Sequence, residues 1–257
     1  MEASSIDGAV VRVARAVADE VMREGARAVV LTGSHARGEA HSQSDIDLVV
    51  VLARGRASNY RPAPIQRRAS FLLTIAWETE LSTRRAFRDP QLVGSFVPGW
   101  RDAVVLADPD GVAARLRRAA VRWRWEGIEA EADAWVAEQI TGFAEEVHKL
   151  VVAMERQSMH TAAVQRSLLA LRLAKIISVH HRILYGSENA LWDLVAERMG
   201  ESWATAQARA LGEHDESFED TCTAALELYR LAAAAVDRTL DRRQRAVVAH
   251  ACRLPSL

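Results

Sequence analysis

The stretch from Val29 to Val51 constrains the fold of this chain more than any other part of the sequence. It holds two short apolar runs rich in β-branched residues, separated by a polar segment with the pattern G-S-x3-G-x5-S-D-x-D-L. Apolar runs of this length and composition are typical of buried strands rather than helices. The stretch therefore predicts a strand, a glycine turn with a polar loop, and a second strand that begins with two aspartates.

Asp45 and Asp47 stand two residues apart at the start of the second predicted strand. Because alternate residues of a strand point to the same face, both carboxylates should project together while Ile46 and Leu48 enter the core. Two adjacent carboxylates repel each other unless a cation or a proton is shared between them. Mg²⁺ suits such a pair, since it is held by one or two carboxylates together with substrate phosphates.

The turn at Gly33 and Ser34 supplies the groups that phosphate oxygens need: an approachable backbone, free N–H groups and a hydroxyl. The ordinary alternative is a surface turn followed by two solvated aspartates. Seven specified positions in this strand–turn–strand setting favour a functional site over that alternative.

This motif resembles the signature of the nucleotidyltransferase superfamily that includes DNA polymerase β. The resemblance implies that the two aspartates bind catalytic Mg²⁺ and that the turn holds the terminal phosphates of a nucleoside triphosphate, which we take to be ATP. We assign nucleotide contacts to four residues of the motif: Gly33, Ser34, Arg37 and Ser44.

Members of this superfamily usually bring a third metal-binding carboxylate from another strand, which here corresponds to residues 71–78. The middle of this segment holds Leu73 and Thr74 instead of an acid. Glu78 is assigned as the third metal ligand, on the condition that the strand register carries it to the aspartates. The alternative is that Glu78 and Glu80 only end a strand at the surface.

The remaining periodicity and turn signals of the first half predict alternating helices, loops and strands. We expect a helix over 9–24, an exposed loop over 55–70, a helix over 81–90 closed by Pro90, a turn at Pro98–Gly99, a strand over 103–106 and a helix from Val112. These elements predict an α/β domain over 1–119, with a mixed sheet flanked by helices. The resemblance implies that this is the nucleotidyltransferase domain, which binds the nucleotide and the metal.

After Arg118 the strand signals disappear and helical periodicity dominates. Candidate helices span about 127–156, 160–185, 188–200, 203–212 and 216–248, which predicts an all-α bundle over 120–257. The fold class is therefore α+β.

Two patterns in the bundle, F-x-E-x3-K from Phe143 and H-H-R-I-x-Y from His180, resemble kanamycin-type aminoglycoside nucleotidyltransferases. The resemblance implies Glu145 as the general base on an acceptor hydroxyl and Lys149 as a contact to the nucleotide phosphate. It also implies that the bundle over 120–257 binds the acceptor and forms a homodimer, in which one subunit's bundle completes the partner's active site. From the residues alone, Glu145 and Lys149 are an i,i+4 surface pair, and the paired histidines are hydrogen-bonded groups at an interdomain seam.

Composition limits the partners and the compartment. The formal net charge of −1 argues against a nucleic acid or an anionic membrane and favours a small-molecule acceptor. Cys222 and Cys252 lack metal-ligand spacing and are expected to be reduced thiols in a cytoplasmic protein. No signal peptide and no apolar stretch of membrane-spanning length is expected.

Together these features predict a Mg²⁺-dependent enzyme that moves a nucleoside monophosphate, AMP from ATP, to a hydroxyl of an aminoglycoside-type small molecule and releases pyrophosphate. Two alternatives stay open. One is a minimal nucleotidyltransferase that modifies a protein or RNA partner, as in toxin–antitoxin pairs. The other is a non-catalytic nucleotide-binding module, which a missing third-strand acid would favour.

Overall fold

The chain forms two compact units, Met1–Gly127 and Ile128–Leu257, in a computed structural model that describes residues 7–53 and 64–254. The first unit contains both helices and strands, whereas the described part of the second unit is helical. The predicted α+β class is therefore confirmed. The boundary between the units follows Gly127 rather than position 119, because the helix that begins at Val112 continues to Arg122 within the first unit.

A five-stranded mixed sheet forms the centre of the first unit, with the strand order β3-β4-β2-β1-β5. Its strands are β1 (Ala26–Thr32), β2 (Ile46–Leu52), β3 (Ile65–Arg68), β4 (Phe71–Thr79) and β5 (Val104–Ala107). Strands β2 and β4 run parallel, while the other neighbouring pairs run antiparallel. The parallel pair decides which residue of β4 stands beside each aspartate of the motif.

Among the residues that the structure describes, five α-helices accompany this sheet: α1 (Gly8–Arg23), α2 (Gly33–Arg37), α3 (Glu80–Ala86), α4 (Pro90–Arg101) and α5 (Val112–Arg122). The apolar face of α1, with Val10, Val17 and Val21, is buried in one cluster with the inward-facing residues of β1, β2 and β4. This burial confirms the helix predicted over 9–24. The predicted strand near 103–106 and the helix from Val112 are confirmed as well.

Three predictions for the first unit are wrong. Residues 65–68 form strand β3, paired with β4, instead of a loop, whereas positions 55–63 of the predicted loop lie outside the described residues. Pro90 begins α4 instead of closing a helix, because a first-turn proline lacks only an N–H that has no helical partner anyway. Pro98 lies inside α4, so Pro98–Gly99 is not a turn.

The second unit contains seven α-helices among its described residues: α6 (Glu129–Gly142), α7 (Ala144–Glu155), α8 (Met159–His180), α9 (Leu191–Met199), α10 (Glu201–Leu211), α11 (Phe218–Val236) and α12 (Arg242–Cys252). The prediction of an all-helical second half is confirmed. Two of the long predicted helices are each divided, one at Phe143 and the other at the turn before Asp241.

Buried aromatic side chains anchor the second unit. Trp203 is 1% exposed, and its Nε1 donates a hydrogen bond to Gln207 Oε1 at 2.9 Å. The hydroxyl of Tyr229 donates to the carbonyl of Ile140 at 3.1 Å, which ties α11 to α6. No described helix is both long and apolar enough to cross a membrane.

Candidate active site

The end of β1 and the start of β2 bring the motif residues together. Antiparallel pairing sets Thr32 opposite Asp47, and the Thr32 hydroxyl donates to the Asp47 carbonyl at 3.5 Å. Asp45 comes directly before β2, and the neighbouring Ile46 and Leu48 are buried. The alternation predicted for this strand is therefore confirmed: the apolar residues enter the core while the aspartates stay partly exposed.

Gly33 lies in direct contact with the carboxylate of Asp47. Its φ is +70°, and a Cβ at this position would overlap Asp47 Oδ2 and lie 2.9 Å from Asp47 Cγ. Helix α2 begins at this glycine and ends after little more than one turn at Gly38, whose φ is +74°. Glycine accepts such φ values without a steric cost. Both motif glycines are therefore required by their positive φ angles. At Gly33 the close approach of the Asp47 carboxylate also leaves no room for a side chain.

The electrostatics of the pair favour binding of a cation. Burial, followed by the charge of Asp45, raises the pKa of Asp47 from its ordinary value of 3.8 to about 6, although Arg37 acts in the opposite direction. A raised carboxyl pKa means that a second negative charge is costly here, and a proton or a cation relieves that cost. The donors are carboxylate oxygens, so a hard ion such as Mg²⁺ fits the site.

The other motif residues surround this pair through short local bonds. Arg37 Nε donates to Glu39 Oε2 at 2.7 Å, and only 11% of the Arg37 side chain is exposed. The carbonyl of Ser34 accepts the N–H groups that close α2. Ser44 Oγ accepts the N–H of His41 at 2.8 Å, which closes the loop before β2. The structure thus gives Ser44 a role in shaping the loop.

Glu78, the third assigned metal ligand, is not brought to the aspartates. The parallel register pairs Asp47 with Thr74 and pairs Glu78 with Val51, four residues farther along the strands. At about 3.3 Å per residue, this separation is roughly 13 Å. The Glu78 carboxylate instead accepts a hydrogen bond from the Ser82 hydroxyl at the start of α3. Within the described residues, no group of three or more His, Cys, Asp or Glu side chains could hold a metal ion.

Glu80, the first residue of α3, also serves a structural contact. It forms ion pairs with Arg84 at 3.0 Å and with Arg115 at 3.5 Å. The hydrogen bond from Arg84 is the largest effect lowering the pKa of Glu80. Glu78 therefore lies near the end of β4, whereas Glu80 begins α3 rather than ending the strand.

Thr74 is the site residue that sequence reasoning missed. Its Oγ1 donates to Asp45 Oδ2 at 2.9 Å, while the neighbouring Leu73 is completely buried. The available signal was a polar residue in the middle of an otherwise apolar strand. A polar residue in a strand does not by itself identify a site residue. The parallel register does so here, because it sets Thr74 beside Asp47.

Glu145 and Lys149 lie one turn apart on α7, in the second unit. Lys149 Nζ lies 2.8 Å from Glu145 Oε1 and 3.4 Å from Glu146 Oε1. The hydrogen bond from Lys149 is the main cause that lowers the pKa of Glu145, and the same bond raises the pKa of Lys149. The Glu145 side chain is 70% exposed, so this geometry is that of an i,i+4 surface pair, with an ionised carboxylate at neutral pH.

His180 and His181 end α8 with their ring centroids 4.8 Å apart. His181 Nε2 lies 3.3 Å from Met199 Sδ, and Arg198 Nε donates to His181 Nδ1 at 3.4 Å. Burial is the main cause that lowers the pKa of His181, to about 4. His181 is therefore neutral at physiological pH and is held by partners of the second unit.

Residues 14–98 match the family model described as a nucleotidyltransferase domain. The matched segment contains the paired aspartates, the glycine turn and Thr74. The crystal structure of a nucleotidyltransferase-like protein from Exiguobacterium sibiricum 255-15 is similar, with a TM-score of 0.56 and 12% identity over 89% of this chain and 77% of that chain. Comparison with curated proteins found no match. The match over residues 14–98 supports nucleotidyl transfer as the general reaction.

The contact between Gly33 and Asp47 gives a first prediction. Gly33→Ala should weaken Mg²⁺-dependent nucleotide binding by about tenfold or more, because the new Cβ displaces the carboxylate and the φ of +70° strains an L-residue. Calorimetric titration with a non-hydrolysable ATP analogue measures the change. Gly99→Ala is the matched control, since a Cβ there meets no atom within 4 Å. Equal binding by both variants would contradict the assigned contact.

The raised pKa of Asp47 gives a second prediction, for the metal-free protein. The folded pKa of about 6 exceeds the ordinary value of 3.8, so the unfolded chain loses this proton first. The free energy of unfolding should therefore fall as the pH rises between about 4 and 6. In this range the unfolded chain binds fewer protons than the folded protein, and a rising pH favours the state that binds fewer protons. Asp47→Asn should therefore raise the melting temperature at pH 7.5 in EDTA, with a gain that shrinks towards pH 4. A gain independent of pH would contradict the burial of an ionising carboxylate.

Proposed function

We propose that this protein is a Mg²⁺-dependent nucleotidyltransferase that moves AMP from ATP to a hydroxyl group of an aminoglycoside-type small molecule and releases pyrophosphate. The observation that carries the proposal is the pair of carboxylates, Asp45 and Asp47, beside the open backbone of Gly33. The match of residues 14–98 to a nucleotidyltransferase domain supports the transfer reaction in general. The acceptor class rests on the resemblance of the second unit to kanamycin-type enzymes.

In this proposal the residues around α2 bind the triphosphate. The N–H groups and hydroxyl at Gly33 and Ser34 donate to the terminal phosphates, which requires the approachable backbone that glycine provides. Arg37 adds a positive charge within electrostatic reach of Asp47. Asp45 and Asp47 would hold Mg²⁺ through their carboxylate oxygens. When bound there, the ion would neutralise charge on the phosphates and on the departing pyrophosphate.

The acceptor hydroxyl attacks the α-phosphorus in line with the leaving group. A new bond forms between the acceptor oxygen and phosphorus as the bond to the β-phosphate oxygen breaks, and the hydroxyl proton passes to Glu145. The ionised state of this carboxylate at neutral pH suits it to accept a proton, although its lowered pKa makes it a weaker base. To contact the phosphate, Lys149 must give up part of its ion pair with Glu145. Its positive charge then stabilises the negative charge that develops on the phosphate.

We propose a homodimer in which α7 of one subunit serves the aspartate pair of the other. The resemblance to kanamycin-type enzymes carries this part of the proposal. The exposed carboxylate of Glu145 and the partly buried one of Glu146 suit a polycationic acceptor such as an aminoglycoside, because opposite charges attract and orient the ligand.

A non-catalytic nucleotide-binding module is the second candidate, and Thr74 is the observation that favours it. A neutral hydroxyl occupies the strand position beside Asp47, and Glu78 lies elsewhere. Such a module would bind a nucleoside triphosphate with Mg²⁺ but would form no product.

Mass spectrometry of a panel of aminoglycosides and lincosamides, incubated with each nucleoside triphosphate and Mg²⁺, tests the proposal. We expect an aminoglycoside that gains one AMP group with the wild-type protein and gains none with Asp47→Asn. Binding of ATP without product across the panel would support the module instead. Transfer to a protein or RNA in place of the panel would support a minimal nucleotidyltransferase.

The role of Glu145 gives a third prediction. Glu145→Gln should lower kcat by about a hundredfold or more and change KM less, because a general base acts mainly in the transition state. Glu155→Gln, at the exposed end of the same helix, is the matched control and should retain wild-type kcat. An unchanged kcat and pH–rate profile for Glu145→Gln would show that Glu145 is only a surface residue of α7.

A further inference from the structure

Thr74 stands at the point where β4 meets the aspartate pair. The register of the parallel strands sets it beside Asp47, and its hydroxyl donates to Asp45 Oδ2 at 2.9 Å. One threonine therefore adjoins both acids: it is the strand neighbour of one and the hydrogen-bond donor of the other. Residues that are paired across neighbouring strands point to the same face of the sheet, so the side chain of Thr74 shares the face of Asp47.

The hydroxyl of Thr74 acts on Asp45 in a way that a carboxylate could not. A third acid at this position would add negative charge to a pair that already repels. A hydroxyl instead donates a hydrogen bond to an ionised oxygen, and such charge-assisted bonds are shorter and stronger than those between neutral groups. Because threonine is β-branched, its χ1 angle is also restricted, which limits the directions in which Oγ1 can point.

This arrangement also limits how a cation is retained. Among the described residues, the acids gathered at this point are Asp45 and Asp47, because the side chain of Glu78 bonds to Ser82 instead. Mg²⁺ dehydrates reluctantly and is often held by one or two carboxylates only together with substrate phosphates. A site with two carboxylates and a hydroxyl therefore needs the phosphates to complete its set of oxygen ligands.

We propose that Thr74 is a positioning residue that fixes the carboxylate of Asp45, and that the divalent cation is retained at this site only together with the nucleoside triphosphate. This inference rests on the proposed function, because it assumes that the aspartate pair binds a metal–nucleotide complex. It adds that the position beside Asp47 carries a hydrogen-bond donor in place of an acid. The cation and the nucleotide then bind as one unit.

The test uses Mn²⁺ as the probe and measures the free ion by electron paramagnetic resonance, with the full-length protein and a non-hydrolysable ATP analogue. The wild-type protein should bind Mn²⁺ at least about tenfold more tightly with the analogue than without it. Thr74→Val keeps the shape and strand preference of the residue but removes the donor. It should weaken Mn²⁺ binding in the presence of the analogue by about tenfold, the effect of losing a hydrogen bond to a charged group.

Two further variants separate positioning from mere packing. Thr74→Ser retains the hydroxyl and should restore most of the Mn²⁺ affinity that Thr74→Val loses. Thr83→Val is the matched control: Thr83 is completely buried in the same unit, and its hydroxyl has no hydrogen-bond partner among the described residues. It should bind Mn²⁺ like the wild-type protein. Circular dichroism checks that each variant is folded.

Thr74→Asp tests the same position from the opposite direction. A third carboxylate beside Asp47 should raise the affinity for Mn²⁺ alone by about tenfold and reduce its dependence on the nucleotide, since each added anionic oxygen strengthens binding of a hard cation. Unchanged Mn²⁺ binding in both Thr74→Val and Thr74→Asp would overturn the inference while leaving the proposed function intact. If the wild-type protein bound no Mn²⁺ with the analogue, the proposed function would fail, and the inference with it.

Discussion

The contact between the Asp47 carboxylate and the backbone of Gly33 is the constraint on which the rest of the site depends. It exists because β1 and β2 are antiparallel neighbours and because the chain turns between them at a residue without a side chain. The same turn begins helix α2, whose first N–H groups have no partner within the helix. A site that joins anion-binding backbone to cation-binding carboxylates suits a ligand that carries both charges, as a metal–triphosphate complex does.

Burial of this acid pair costs the folded state some stability, as the raised pKa of Asp47 indicates. The structure offsets part of that cost with neutral or positive partners rather than with further acids. Thr74 donates to Asp45, and Arg37 opposes the shift at Asp47. The nearby acids of the β4–α3 junction are engaged elsewhere, by Ser82 and by arginines. The site is therefore arranged around two carboxylates.

The sequence was sufficient for those features that depend on local spacing. The paired strands, the glycine turn and the projection of both aspartates follow from a period of two and from residue types that strands and turns require. The sequence was insufficient where a second strand decides the outcome. The composition of residues 71–79 does not reveal which of them stands beside Asp47. The sequence therefore suggests Glu78 as the third metal ligand, whereas the parallel register sets Thr74 beside Asp47. Pro90 likewise is compatible with the end of one helix or the start of another. The Asp89 side chain caps α4, so Pro90 begins that helix.

The most direct test of a metal–triphosphate site at the aspartate pair is a crystal structure with Mn²⁺ and a non-hydrolysable ATP analogue, in which anomalous scattering locates the ion. We expect a Mn²⁺ peak between the carboxylates of Asp45 and Asp47, shared with phosphate oxygens that also accept hydrogen bonds from the N–H groups at Gly33 and Ser34. A nucleotide bound elsewhere, or a bound ion that contacts neither aspartate, would contradict it.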